Sequence, residues 1–194
     1  MKVTKIDVAE AQLCAAIRLF FEDAHPVPVH TLACAAREIM SVLGEKLKTD
    51  TFLDDVARWR GLDVKDLRKK ATRFWNFMKH ADRDPADVLS EFSDLANDAI
   101  LFCVCRDLAL IAKGLPIEAQ VYEVWFFAAT VRRVSAGGLR WQKLIKNCIR
   151  CFPAGFRSAS RKEQKQMGLA ALIEAEGKPQ YRMEMIRAIE LPDE

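Results

Sequence analysis

Arg73, Asn76 and His80 are three and four residues apart in RFWNFMKH. At the helical 100° per residue they fall on one polar row. Lys69 lies beside that row, and Leu67, Ala71, Phe74, Phe77, Met78 and Ala81 form a separate apolar stripe. An arginine holds a phosphate through paired hydrogen bonds. Histidine is the only side-chain type whose unperturbed pKa lies near neutrality. Together they put a group that can move a proton beside a fixed positive charge on one short face. Ordinary roles compete: His80 at a helix end can cap the last carbonyls or pair with Asp82 or Asp84, and Arg73 can bridge to Asp66 or Glu38. A metal is the other chemical reading, with His80, Asp82 and Asp84 joined by His30 and Glu38. Against it, DRDP is also an ordinary turn.

The elements that position this row are helical. Ile6, Ala9, Leu13, Ala16, Ile17, Phe20 and Phe21 repeat at three and four, which predicts a helix over 6–22. Two prolines mark a turn over 23–28. A second helix follows over 29–47, with Leu32, Ala35, Ala36, Ile39, Met40 and Leu43 inward and His30, Cys34, Arg37 and Glu38 outward. A short helix over 51–60 stops at Gly61, and Asp63 caps the helix of the polar row. Further helices are expected over 90–113, 117–136, 139–152, 158–175 and 181–189. No strand, repeat or low-complexity tract is legible. The expected fold class is all-α, a bundle of four or five long antiparallel helices with short C-terminal helices. Residues 1–136 form its core and 137–194 a basic C-terminal helical extension packed on it.

The net charge of +3 hides an uneven distribution. Residues 132–165 hold ten Lys or Arg against one acid, Glu163. In the helix over 139–152, Arg140, Lys143, Lys146 and Arg150 share one face, opposite Trp141, Leu144, Ile145, Cys148, Ile149 and Phe152. Such a face suits nucleic-acid phosphates or an anionic surface, or is simply solvated. With Trp141 and Phe152 inward, no stacking aromatic stands beside the charges, so backbone contact is expected rather than base readout. The six cysteines are expected as free, small buried residues, because Cys148-x-x-Cys151 and the pair Cys103 and Cys105 fall in helical patterns. Phosphate loops, dinucleotide loops and nucleophile motifs are absent, and no cofactor is expected. MKVTKIDVAEAQ lacks a signal-peptide core and no apolar run reaches membrane length, so the expectation is a cytoplasmic chain without a membrane span.

The first two helices, AAIRLFFEDAHPVPVHTLACAAREIM, and the later RFWNFMKH resemble the HEPN superfamily (higher eukaryotes and prokaryotes nucleotide-binding) over roughly residues 6–135. The resemblance implies a small helical bundle, a homodimer, and RNA binding or cleavage in which Arg73 and His80 match the family's Arg and His. Phe74 stands where catalytic members carry a polar residue. Asn76, on the same face, would then supply that group. Two functions follow as expectations. One is an RNA-binding protein cleaving at Arg73, Asn76 and His80. The other is a non-catalytic helical protein acting through homodimerisation or a protein partner, and Phe74 favours it.

Overall fold

The computed structural model describes residues 1–80, 82, 85–130 and 139–189, and these are helical with no strand among them. The elements are α1 (Lys5–Phe21), α2 (Pro26–Leu47), α3 (Phe52–Arg60), α4 (Val64–Lys79), α5 (Leu95–Ala112), α6 (Ile117–Thr130), α7 (Leu139–Arg150), α8 (Arg161–Gly177) and α9 (Pro179–Ile189), with a 3-10 turn at Phe156–Ser158. Two compact units form: residues 1–16 with 25–114, and 17–24 with 115–194. The boundary expected at 136/137 between the bundle core and the basic extension lies outside the described residues.

Local sequence sets most helix ends. α2 starts at Pro26, three residues earlier than the periodicity implies. A proline in the first turn lacks only an N–H that has no helical partner. His25 caps it, its Nδ1 accepting the Val27 N–H at 3.3 Å. Thr51 and Asp54 form a capping box at α3, and Gly61 ends that helix with φ 64°. Asp63 caps α4, its Oδ1 accepting the Lys65 and Asp66 N–H groups at 2.8 and 3.0 Å. α5 begins at Leu95, with a turn where a helix from Ser90 was expected.

In the first unit α2 packs chiefly on α5. Of the face of α2 expected inward, only Ala36 and Met40 are buried. Val29, His30, Ala33, Cys34, Ala36, Arg37, Met40 and Gly44 are buried, whereas Leu32, Ala35, Ile39 and Leu43 are half-buried. Small residues let α5 come close. Gly44 makes room for the segment that follows the helix, since a Cβ there would meet the Thr49 carbonyl at 3.0 Å. Facing this surface, α5 buries Leu101, Val104, Cys105 and Leu108.

The second unit is built on aromatic rings. Phe20, Phe21, Tyr122 and Trp125 are fully buried, with centroids 5.0 to 6.0 Å apart. The Trp125 indole N–H donates to the Gln164 carbonyl at 2.8 Å, and the Gln164 side chain donates to the Phe156 carbonyl at 2.9 Å. Lys165, 2% exposed, pairs with Asp23 at 3.0 Å and lies 4.5 Å from the Phe20 ring centre.

Candidate functional site

α4 carries the polar row on its exposed side. Arg73 and Asn76 are exposed, and His80 is half-buried. Arg73 donates to Glu91 at 2.8 Å and lies 5.3 Å from the Phe74 ring centre. Both partners of that ion pair are more than half exposed, so the pair is worth well under about 1 kcal/mol and an incoming phosphate can compete for the guanidinium. His80 is the residue after the helix, with φ −118° and ψ 53°. Its Nδ1 lies 3.8 Å from Asp82. Helical rotation therefore does not govern His80, and among the described residues no hydrogen bond or ion pair joins Arg73, Asn76 and His80 to one another. Asp84 lies outside the described residues. Lys69 is exposed on the same helix.

The apolar stripe of α4 is only half-buried. Phe74, Phe77 and Met78, expected in the core, all retain exposure, and no residue of α4 is fully buried. The reason is a cleft of about 650 Å³ at the foot of the helix, lined by Phe77, Met78, Val27, Thr31, Leu89 and Phe92. Phe74 instead packs edge-on against His30 and Phe92, at centroid distances of 5.8 and 5.1 Å. Glu38 does not meet Arg73. It accepts from Lys79 at 3.0 Å and from the Trp75 indole at 3.3 Å, and Lys79 holds its carboxyl below the usual range.

His30 is the chemically able residue that periodicity misplaced. It is 2% exposed. The Asn97 amide donates to the Pro26 carbonyl at 3.1 Å, which leaves the Asn97 oxygen to accept from His30 Nδ1 at 2.9 Å. His30 Nε2 is then a buried lone pair without a partner. The metal set that would have joined His30 and Glu38 to His80 is not assembled: His30 faces Asn97 and Glu38 faces Lys79. No group of three metal-ligating side chains occurs among the described residues. Burial pushes the Cys34, Cys103 and Cys148 thiols up to about 12, which makes them poor nucleophiles and metal ligands.

Two buried groups of this unit titrate in opposite senses. Burial lowers the pKa of His30, so its stabilising neutral form is complete above the ordinary value near 6.5 and is lost as pH falls through it. Burial raises Asp107 to about 6, while its carboxylate accepts the Phe52 N–H at 2.6 Å. Its folded form therefore binds a proton before the unfolded chain does, and stability rises as pH falls from about 6 towards 4. The two slopes oppose each other. Asp107→Asn keeps an acceptor for Phe52 and removes one slope. We expect it to gain up to about 3 kcal/mol at pH 8 and to lose stability more steeply than wild type between pH 6.5 and 4. Urea unfolding at stepped pH reads both, and parallel curves for the two proteins would refute the assignment.

α7 presents the basic face. Lys143, Lys146 and Arg150 are exposed, while Leu144, Ile145 and Cys148 are buried beneath them. Among the described residues no carboxylate pairs with these three cations. The side chain of Arg140 lies outside the described residues. Trp141 is not inward as expected: it is 43% exposed, with its ring 6.2 Å from Phe127. It occupies the first turn of α7, where the core no longer covers the apolar side. Trp141 nevertheless stands roughly 160–200° around the helix from Lys143 and Arg150, so a strand lying along the charges does not stack on it.

Comparison with known proteins finds no matching family model, no similar curated protein and no similar solved structure.

Proposed function

We propose that this protein binds single-stranded RNA through the basic face of α7 and cleaves it without a metal at Arg73, Asn76 and His80. The observation that carries the binding reading is the exposed row of Lys143, Lys146 and Arg150 above a buried apolar side, with no carboxylate paired to it among the described residues. Cations that no carboxylate neutralises release counterions when they meet phosphates. For cleavage, His80 takes the proton of the attacking 2′-OH, the 2′-oxygen displaces the 5′-oxygen from phosphorus to leave a 2′,3′-cyclic phosphate, water supplies the proton of the leaving 5′-OH, and Arg73 leaves Glu91 to hold the phosphate as charge develops. The resemblance to the HEPN superfamily, its antiparallel bundle and its homodimer belong to the same reading.

The test is a salt titration of RNA binding. Replacing Lys143 and Lys146 with Ala should lower the slope of log affinity against log salt by roughly 0.7 per contact. At physiological salt that amounts to about a fifteenfold weakening for two contacts, alike for every RNA sequence. The helix is kept, because both positions are exposed and Ala is the better helix former. Coincident slopes and affinities would remove the basic face from the binding reading.

Exposed apolar side chains on the first unit favour a second reading, a non-catalytic chain that acts through homodimerisation or a protein partner. Leu47, Trp59 and Leu62 are 58%, 78% and 53% exposed, more than a lone surface residue needs. Sedimentation equilibrium at micromolar concentration separates the outcomes. A species twice the 22.0 kDa chain mass supports self-association, and a clean monomer excludes it.

A further inference from the structure

The surroundings of His30 suit its neutral ring and leave its charged form without support. The imidazole stands between two phenyl rings, Phe74 of α4 at 5.8 Å and Phe92 at 5.2 Å, each nearly perpendicular to it. Nδ1 is engaged by Asn97 of α5, and Nε2 has no partner. A protonated ring donates from both nitrogens, so Nε2 would become a buried donor on a buried charge. The groups around it do not offset that cost. Arg37 lies two turns further along the same face of α2, is 6% exposed, and acts on the ring with the same sign. Cys34, between them, is held as the neutral thiol by burial. Asp107 of α5 is turned to the Phe52 N–H, and its charge acts on Arg37. Asp98 follows Asn97 but points about 100° away around α5. Water at Nε2 is what the cation needs, and a covering element has to give way to admit it.

Of those elements α4 is held least. The contact of α2 with α5 is built on fully enclosed side chains, among them Ala33, Ala36, Leu101, Val104 and Leu108. No residue of α4 is buried, and Phe74, Phe77 and Met78 are only half-buried. Charge at the rim supplies the rest: Arg68 to Asp54 at 2.9 Å and Glu45 at 3.3 Å, Arg73 to Glu91 at 2.8 Å, and Lys79 to Glu38 at 3.0 Å. Most of these pairs are open to solvent and weak. The ends of α4 are free to turn. Gly61, with φ 64°, precedes it, and the chain leaves helical geometry at His80.

We propose that α4 is an acid-released cover: when His30 takes a proton from solvent at Nε2, α4 lifts from α2 and admits water to the ring, while α2 and α5 stay packed. Arg73 leaves Glu91 in the same movement. The inference concerns an opening equilibrium of the chain alone and does not rest on RNA binding or cleavage. Its sign follows from the two forms. The closed form favours the neutral ring, whereas in the open form the imidazole has its ordinary pKa near 6.5. Acid therefore draws the helix open, and the open fraction should rise about tenfold between pH 7.5 and 5.5.

The test is amide hydrogen exchange on the full chain at those two pH values, each rate divided by that of an unprotected amide at the same pH. The α4 amides should lose about tenfold of their protection on going to pH 5.5, and the α5 amides should keep theirs. His30→Gln removes the titrating group and keeps His25, His80 and every rim carboxylate, so α4 protection should become equal at the two values. Phe74→Ala addresses the cover without touching the imidazole. It should lower α4 protection at pH 7.5 and raise the His30 titration midpoint, read from its ring protons by NMR, towards 6.5. Loss of protection in α4 and α5 together would mean that the ring is reached only by unfolding the whole unit, and it overturns the proposal. So does α4 protection indifferent to pH, a pH dependence that survives His30→Gln, or an unmoved midpoint in Phe74→Ala.

Discussion

Replacing His80 with alanine is expected to slow metal-independent RNA cleavage by about 10²- to 10⁴-fold while leaving RNA affinity unchanged. The imidazole is the only group of the row able to take a proton from a 2′-OH near neutral pH. It carries no positive charge that RNA binding needs, since the proposed phosphate contacts are on α7. Arg73→Ala should reduce cleavage as well, through the loss of a charge that acts on the phosphate in the transition state. Glu91→Gln is the informative partner. It releases Arg73 from its 2.8 Å ion pair and should raise cleavage or leave it unchanged, never lower it. The measurement is single-turnover cleavage of a labelled single-stranded RNA with EDTA present. A wild-type chain that binds this RNA and leaves it intact ends the catalytic proposal and leaves the binding proposal standing.

Gly168→Ala should give the largest loss of stability of any single-methyl change considered. A Cβ at this position would lie 2.3 Å from Phe21 Cε1 and 2.6 Å from its Cδ1. The Phe21 ring cannot step aside, because it is fully buried against Phe20, Tyr122 and Trp125. Overpacking of this kind costs about 1–3 kcal/mol or more. The better helix propensity of alanine offsets only about 1 kcal/mol of that. A net loss of about 2 kcal/mol is expected from urea unfolding. Gly177→Ala, at a position with nothing within 4 Å of the added Cβ, is the control and should not destabilise. Phe21→Leu in the Gly168→Ala background should recover part of the loss, as contacting positions do not add. Equal stability of Gly168→Ala and wild type would mean that the ring has room to move.

The helical class, the order of the elements and most of their ends were legible in the chain. Thr51, Gly61 and Asp63 act on backbone groups within four residues of themselves, so their effect does not depend on distant partners. The angular positions of Arg73 and Asn76 followed for the same reason. His80 did not, because it falls one residue past the last turn and leaves helical geometry. The partner of Arg73 comes from Glu91, in a turn where a helix was expected.

Periodicity identifies an apolar stripe but not the neighbour that covers it. α2 has two stripes, and the bulkier one, with Ile39 and Leu43, looked like the core. Packing on α5 instead buried the stripe that holds Val29, His30, Ala33 and Arg37, together with Ala36 and Met40 of the expected face. That choice buried His30 beside Asn97, 67 residues away in sequence, and left Ala35, Ile39, Val42 and Leu43 to line a groove. Trp141 shows the converse, an apolar residue on the right side of its helix that the core stops short of covering. Helix formation and capping are settled by interactions within a turn or so of the chain. Which face is buried is settled by steric fit between helices distant in sequence, and only the folded chain brings those helices together.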